Sequence, residues 1–146
     1  MIIDIFHLLI DEDKKKEYVV TNVAIFSEKK NPNPLKFHSD SRKGMYRAQI
    51  YLKGGGNNSG GFKYIKKSNN NNSISQGIQT SSNELSDRDF QKYKNNVVDL
   101  SGSEGDLVIF DTLGFHGKHP CLNERRTIAC EFQPKENNYP KSQIDF

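Results

Sequence analysis

The chain is poor in three features, any one of which would have set its class. Cysteine is scarce: Cys121 and Cys130 lack the C-x-x-C spacing of a zinc or redox site and are too few for a disulfide framework. A reducing compartment follows as the simpler reading. Long apolar runs are missing. The apolar opening MIIDIFHLLIDED carries Asp4, has no basic flank and no small-residue cleavage site, and is too short to span a bilayer. It reads as a buried helix or strand, so a cytoplasmic protein with no membrane partner is expected. Charge of one sign is also missing: 21 Lys and Arg stand against 18 Asp and Glu, giving a net +3 spread along the chain. Nucleic-acid binding needs a clustered basic face with stacking aromatics beside it, so no nucleic-acid partner is expected. The short clusters Lys14-Lys15-Lys16 and Lys66-Lys67 read as solvated surface.

Helical periodicity is scarce too. The clearest helix candidate is SDRDFQKYK (86–94), with Ser86 placed to cap it and Asp89 three residues on. Strands are plentiful instead. The segments 17–26, 46–53, 61–67, 96–100, 106–112 and 126–132 are rich in β-branched or aromatic residues and bounded by Gly, Asn, Pro or Ser. The stretch GGGNNSGG (54–61) has no Gly-Lys-Ser/Thr ending and leads into a strand, which favours a turn over a phosphate loop. The stretch 68–84 is Asn- and Ser-rich and reads as a low-complexity surface loop. Asn57-Asn58-Ser59 and Asn71-Asn72-Ser73 fit the glycosylation sequon, which in an intracellular chain is coincidence. At 146 residues the chain makes one domain, 1–146. Six or more short strands with few helices predict a mainly β sandwich or barrel, of which the jelly-roll or cupin type is one member.

Against that background His38-Ser39-Asp40 stands out. On an extended segment residues i and i+2 share a face, so His38 and Asp40 can converge while Ser39 turns away. Two histidines and one carboxylate on one triangular face form the site of iron(II) oxygenases. The third ligand would come from GDLVIFDTLGFHGKHP, which offers His116 and His119. Downstream, alternation groups Arg126 with Ile128, Cys130 and Phe132, and Arg125 with Thr127, Ala129 and Glu131. Arg126 thus lies on the more apolar face, and a guanidinium turned into a barrel interior calls for an anion such as a carboxylate.

In order along the chain, FHSD, AQIYLK, GGFKYIKKS, GDLVIFDTLGFHGKHP and ERRTIACEF resemble the phytanoyl-CoA dioxygenase family of iron(II)- and 2-oxoglutarate-dependent oxygenases. The resemblance covers about residues 18 to 133. It implies a double-stranded β-helix with His38, Asp40 and His116 as metal ligands and Arg126 binding the far carboxylate of 2-oxoglutarate. His116 is preferred to His119 because it directly follows FDTLGF and stands ten residues before Arg126. Gln49 and Tyr51 are expected to line the co-substrate pocket. Only 37 residues precede His38, so an N-terminally shortened barrel is expected, and a corner common in the family is reduced to IKKS with Ser68 kept.

The implied cofactors are Fe(II), 2-oxoglutarate and dioxygen. The implied reaction is hydroxylation of a small organic or acyl substrate coupled to decarboxylation of 2-oxoglutarate to succinate; Asp40 favours hydroxylation, since halogenases of this kind replace the carboxylate. The second reading is a catalytically weak or inactive β-helix domain that serves as a binding module. A cupin of another class is disfavoured because HSDSRKG supplies neither H-x-H nor a following Glu. Substrate identity and oligomeric state are not legible.

Overall fold

The computed structural model describes residues 18–40, 44–69 and 84–135. In chain order its elements are β1 (Tyr18–Glu28), β2 (Tyr46–Lys53), β3 (Phe62–Ile65), α1 (Asp87–Tyr93), β4 (Val97–Leu100), β5 (Leu107–Asp111), β6 (His116–Lys118) and β7 (Arg125–Pro134). The expected N-terminal buried element, the sequon at 71–73 and most of the Asn/Ser-rich loop (70–83) lie outside the described residues.

The strands form two antiparallel sheets, one in the order β1-β7-β2-β5 and the other β4-β3-β6. They face each other as a cupin-like sandwich, the mainly β architecture expected. Tyr51 ties them together: from β2 its hydroxyl donates to the Leu100 carbonyl at 3.1 Å and accepts from the Phe62 amide at 3.0 Å, both in the opposite sheet. The glycine stretch after β2 is an ordered turn. Gly55 has φ +118° and lies so close under the Tyr51 ring that a Cβ there would be 2.6 Å from it. Only glycine fits, because the conformation and the ring both exclude a side chain.

Alternation decides what fills the sandwich and what covers it. On β2 and β7 the set Tyr46, Ala48, Ile128, Cys130 and Phe132 points to the outer side of the larger sheet, where Tyr18, Ala48 and Phe132 form a buried cluster. A second cluster, Ile65, Leu85 and Phe115 with Phe37, Phe90, Tyr93 and Val97, covers the outer side of the smaller sheet. Each fully buried aromatic of this kind contributes about 2–3 kcal/mol. Helix α1 serves that second cluster. Ser86 caps it, its hydroxyl accepting from the Asp89 amide at 3.1 Å, and Phe90 stacks on Phe37 at 5.5 Å. Both greasy layers therefore lie outside, and the space between the sheets is left for polar and aromatic side chains.

Among the described residues no helix is long and apolar enough to cross a membrane.

Candidate metal centre

The backbones of His38 and His116 bring their rings together. Each amide donates to the other's carbonyl at 2.9 Å, an antiparallel bridge that sets both side chains on one face with ring centroids 4.4 Å apart. Asp40 follows two residues on, held by its amide on the Thr112 carbonyl at 3.0 Å. Ser39 turns the other way and donates to the Leu113 carbonyl at 2.7 Å.

The turn 112–115 aims His116. Ser68, fully buried, accepts from the Phe115 amide at 2.8 Å and donates to the Ile65 carbonyl. Thr112 donates to the Met45 carbonyl at 3.0 Å. Gly114 passes directly under the Tyr64 hydroxyl, where any Cβ would collide. Ser68 thus pins the loop that carries His116.

Both imidazoles present the same nitrogen. Nδ1 of His38 is 3.1 Å from the Lys36 carbonyl and Nδ1 of His116 is 2.9 Å from the Gly114 carbonyl, so each Nδ1 donates to backbone and each ring turns its Nε2 toward Asp40. Asp40 Oδ1 lies 3.7 Å from Nε2 of His38 and 3.8 Å from Nε2 of His116. Nε2 of His116 is buried with no hydrogen-bond partner. Burial pushes the His116 pKa down to about 4, outweighing the Gly114 carbonyl, so the ring is neutral near pH 7.

This donor set fits a divalent transition metal. All three ligand atoms lie within 4.8 Å of one another. Atoms so separated share a point roughly 2.1–2.4 Å from each, close to metal–nitrogen and metal–oxygen bond lengths. Two imidazoles and one carboxylate form the facial set with open positions opposite.

The second oxygen of Asp40 is engaged. Nη2 of Arg47 donates to Asp40 Oδ2 at 3.1 Å and to Glu131 Oε1 at 2.8 Å. Neither Arg47 nor Glu131 was singled out in the sequence. Glu131 shares a face with Arg125, and Arg47 alternates with Gln49, but only the β2–β7 register makes Arg47 and Glu131 partners.

The inward arginine is Arg125, which corrects the expectation for Arg126. Arg126 is exposed and pairs with Glu124 at 2.7 Å. Arg125 is 5% exposed, lies over the Phe62 ring at 5.1 Å, and donates to the Gly60 carbonyl at 3.2 Å. The grouping by alternation was right and the choice of face was inverted: in this sandwich the apolar face of β7 packs outward and the polar one lines the interior. Arg125 also pairs with Glu28 at 3.2 Å, and Glu28 holds Lys118, two residues after His116 on the same face of β6. Burial alone would raise the Glu28 carboxyl, but the Lys118 hydrogen bond and the charges of Lys118 and Arg125 bring it below its ordinary range. From Arg125 an aromatic row leads to the His38-Asp40-His116 cluster, Phe62 to Phe110 at 5.8 Å and Phe110 to His116 at 5.0 Å.

Gln49 and Tyr51 face the same interior, both buried. Gln49 donates to Thr127 at 2.6 Å, and both hydrogen-bonding functions of the Tyr51 hydroxyl go to backbone, so Tyr51 ties the sheets. His119 stands outside the cluster, with Nε2 at 3.2 Å from Asp99.

No protein-family model matches the sequence, and no curated protein matches it. Solved structures do match. AviO1 from Streptomyces viridochromogenes Tue57 aligns with a TM-score of 0.61 at 21% identity, over 85% of this chain and 54% of its own. HygX from Streptomyces hygroscopicus, solved with nickel and 2-oxoglutarate bound, aligns at 0.61 and 16%, over 86% of this chain and 61% of its own. The ThoJ–Ni complex, described as a non-heme monooxygenase, aligns at 0.57 and 14%, over 80% and 44%. These likenesses show the fold. The chain spans about half the length of these neighbours. None of the three is described as a phytanoyl-CoA dioxygenase, so that finer assignment rests on the motifs.

Proposed function

We propose that the protein is an Fe(II)- and 2-oxoglutarate-dependent oxygenase that hydroxylates a small organic or acyl substrate. The observation that carries this reading is the convergence of Nε2 of His38, Oδ1 of Asp40 and the buried, unpartnered Nε2 of His116. The bound metal and co-substrates found in neighbours of the same fold, nickel with 2-oxoglutarate in HygX among them, agree with it.

In this reading His38, Asp40 and His116 hold the iron. Bound there with 2-oxoglutarate and dioxygen, it supplies the oxidation that turns a C–H bond into C–OH while 2-oxoglutarate becomes succinate and carbon dioxide. The chain's own contribution is placement. His116, neutral near pH 7, offers its lone pair without first losing a proton, and Asp40 adds the carboxylate of the ligand set. Arg125, in place of Arg126, receives the far carboxylate. Lys118 and Arg125 carry two positive charges against the single negative charge of Glu28, so the cluster has one charge left over, which one carboxylate end would neutralise. Phe62 and Phe110, between that cluster and His116, exclude water from the intervening space.

Anaerobic addition of Fe(II) and 2-oxoglutarate is expected to give a visible charge-transfer band that His116→Ala abolishes. No band in the intact protein would overturn the reading. Succinate release in the presence of candidate substrates separates an enzyme from a binding module, which would retain the band without turnover.

A further inference from the structure

One nitrogen of Arg47 touches two carboxylates. Nη2 donates to Asp40 Oδ2 at 3.1 Å and to Glu131 Oε1 at 2.8 Å, while Asp40 Oδ1 alone is turned toward the two histidines. Arg47 and Glu131 are register partners on β2 and β7, with Phe110 opposite Arg47 on β5, so the guanidinium is held by the sheet and not by the segment it steadies. The three side chains are 15–21% exposed. At that depth a hydrogen-bonded ion pair is screened less than a surface pair and fixes geometry.

We propose that Arg47, braced by Glu131, is a positioning residue that reserves Oδ2 of Asp40 and so makes Asp40 a one-oxygen ligand. This rests on the metal reading above and adds what that reading does not contain: why the carboxylate leaves the opposite coordination face free. A carboxylate with both oxygens available can bind a metal through both, and the second oxygen would take a position otherwise open to co-substrate. With two imidazoles and one oxygen, an octahedral ion keeps about three exchangeable positions; with both oxygens bound it keeps about two.

Counting water on the Mn(II)-loaded protein, by water-proton relaxation without co-substrate, tests this directly. The wild-type protein is expected to hold about three exchangeable waters and Arg47→Met about two. Arg47→Lys should restore the wild-type count, because a single nitrogen makes both contacts and an ammonium can replace a point donor, though not a two-pronged one. Arg47→Met leaves Glu131 unpaired and is at risk of misfolding; the double variant Arg47→Met/Glu131→Gln removes that charge and carries the same expected count. An unchanged count in both Met variants, or a wild-type count of about two, overturns the proposal. A purely structural role for Arg47 would lower the unfolding midpoint and leave the count unaltered, which also overturns it. Failure of the wild-type protein to bind Mn(II) removes the metal reading together with this one, whereas binding with an unchanged count removes only this one.

Discussion

At one end of the interior three ligand atoms converge and one of them, Nε2 of His116, is buried without a partner. At the other end Arg125, Lys118 and Glu28 answer one another, and none of their buried side-chain atoms lacks a partner. The two ends differ in what a ligand must do to enter. A metal adds to the first, satisfying an acceptor that folding left exposed to nothing. An anion at the second must share or displace Glu28. The first end is therefore ready for a ligand, and the second already contains a carboxylate of the kind it is proposed to bind.

The largest effect separating the two ends should come from the arginines. Arg125→Met is expected to weaken 2-oxoglutarate binding to the metal-loaded protein by roughly 100-fold, the loss of a buried charge-assisted contact. Arg126→Met, on the exposed side with Glu124, should change it by less than about twofold. Titrating the charge-transfer band with 2-oxoglutarate measures both. Equal effects would mean that the interior cation is not the anchor. Metal affinity should be nearly unchanged in either variant, since neither arginine is among the partners of the three ligand atoms.

That pair of residues also marks where sequence reading stops. The strands were legible because each is a short β-branched or aromatic run closed by turn residues, and β2 falls at the expected 46–53. Helix α1 was legible through its cap. Strand β6 was not, being three residues with a glycine at its centre. The convergence of His38, Asp40 and His116 could be anticipated because the i, i+2 rule pairs two of them and a motif points to the third. The orientation of β7 could not. Alternation sorts residues into two faces without saying which is inside, and in this fold the apolar clusters cover the outer sides of both sheets. Arg47 and Glu131 are 84 residues apart, and nothing short of the register joins them.

The His38-Asp40-His116 end should register in stability as well. His116 has its pKa depressed to about 4 by burial, whereas an unfolded histidine titrates near 6.5. Between those values the unfolded chain binds a proton that the folded chain does not, so stability is full above about pH 6.5 and falls as pH drops toward 4. The loss amounts to about 3 kcal/mol. Urea unfolding of the metal-free protein at a series of pH values should show this slope, and His116→Gln should remove it. Glu28 is also held below its ordinary pKa, but its contribution is lost only under the usual carboxylate range, at lower pH, so the two windows separate. A slope that persists in His116→Gln between pH 6.5 and 5 would assign it to another group.

The anchor end offers the smallest effect and the finest discrimination. Glu28→Gln keeps an oxygen for Lys118 and Arg125 but removes the charge, leaving two cations with no anion between them. Folding stability should fall, because part-buried cations lose their counter-charge. Affinity for 2-oxoglutarate should move the other way, tightening by about tenfold, since the incoming carboxylate no longer competes with an internal one and meets two positive charges in place of one. The two opposite signs are the test. Denaturant midpoints with and without 2-oxoglutarate should show a variant that is weaker alone and gains more from the ligand than the wild-type protein does. If Glu28→Gln weakens both, Glu28 is a necessary brace for Arg125 and Lys118 and not an occupant of their site, and the contrast between an open end and a self-filled end fails at that point.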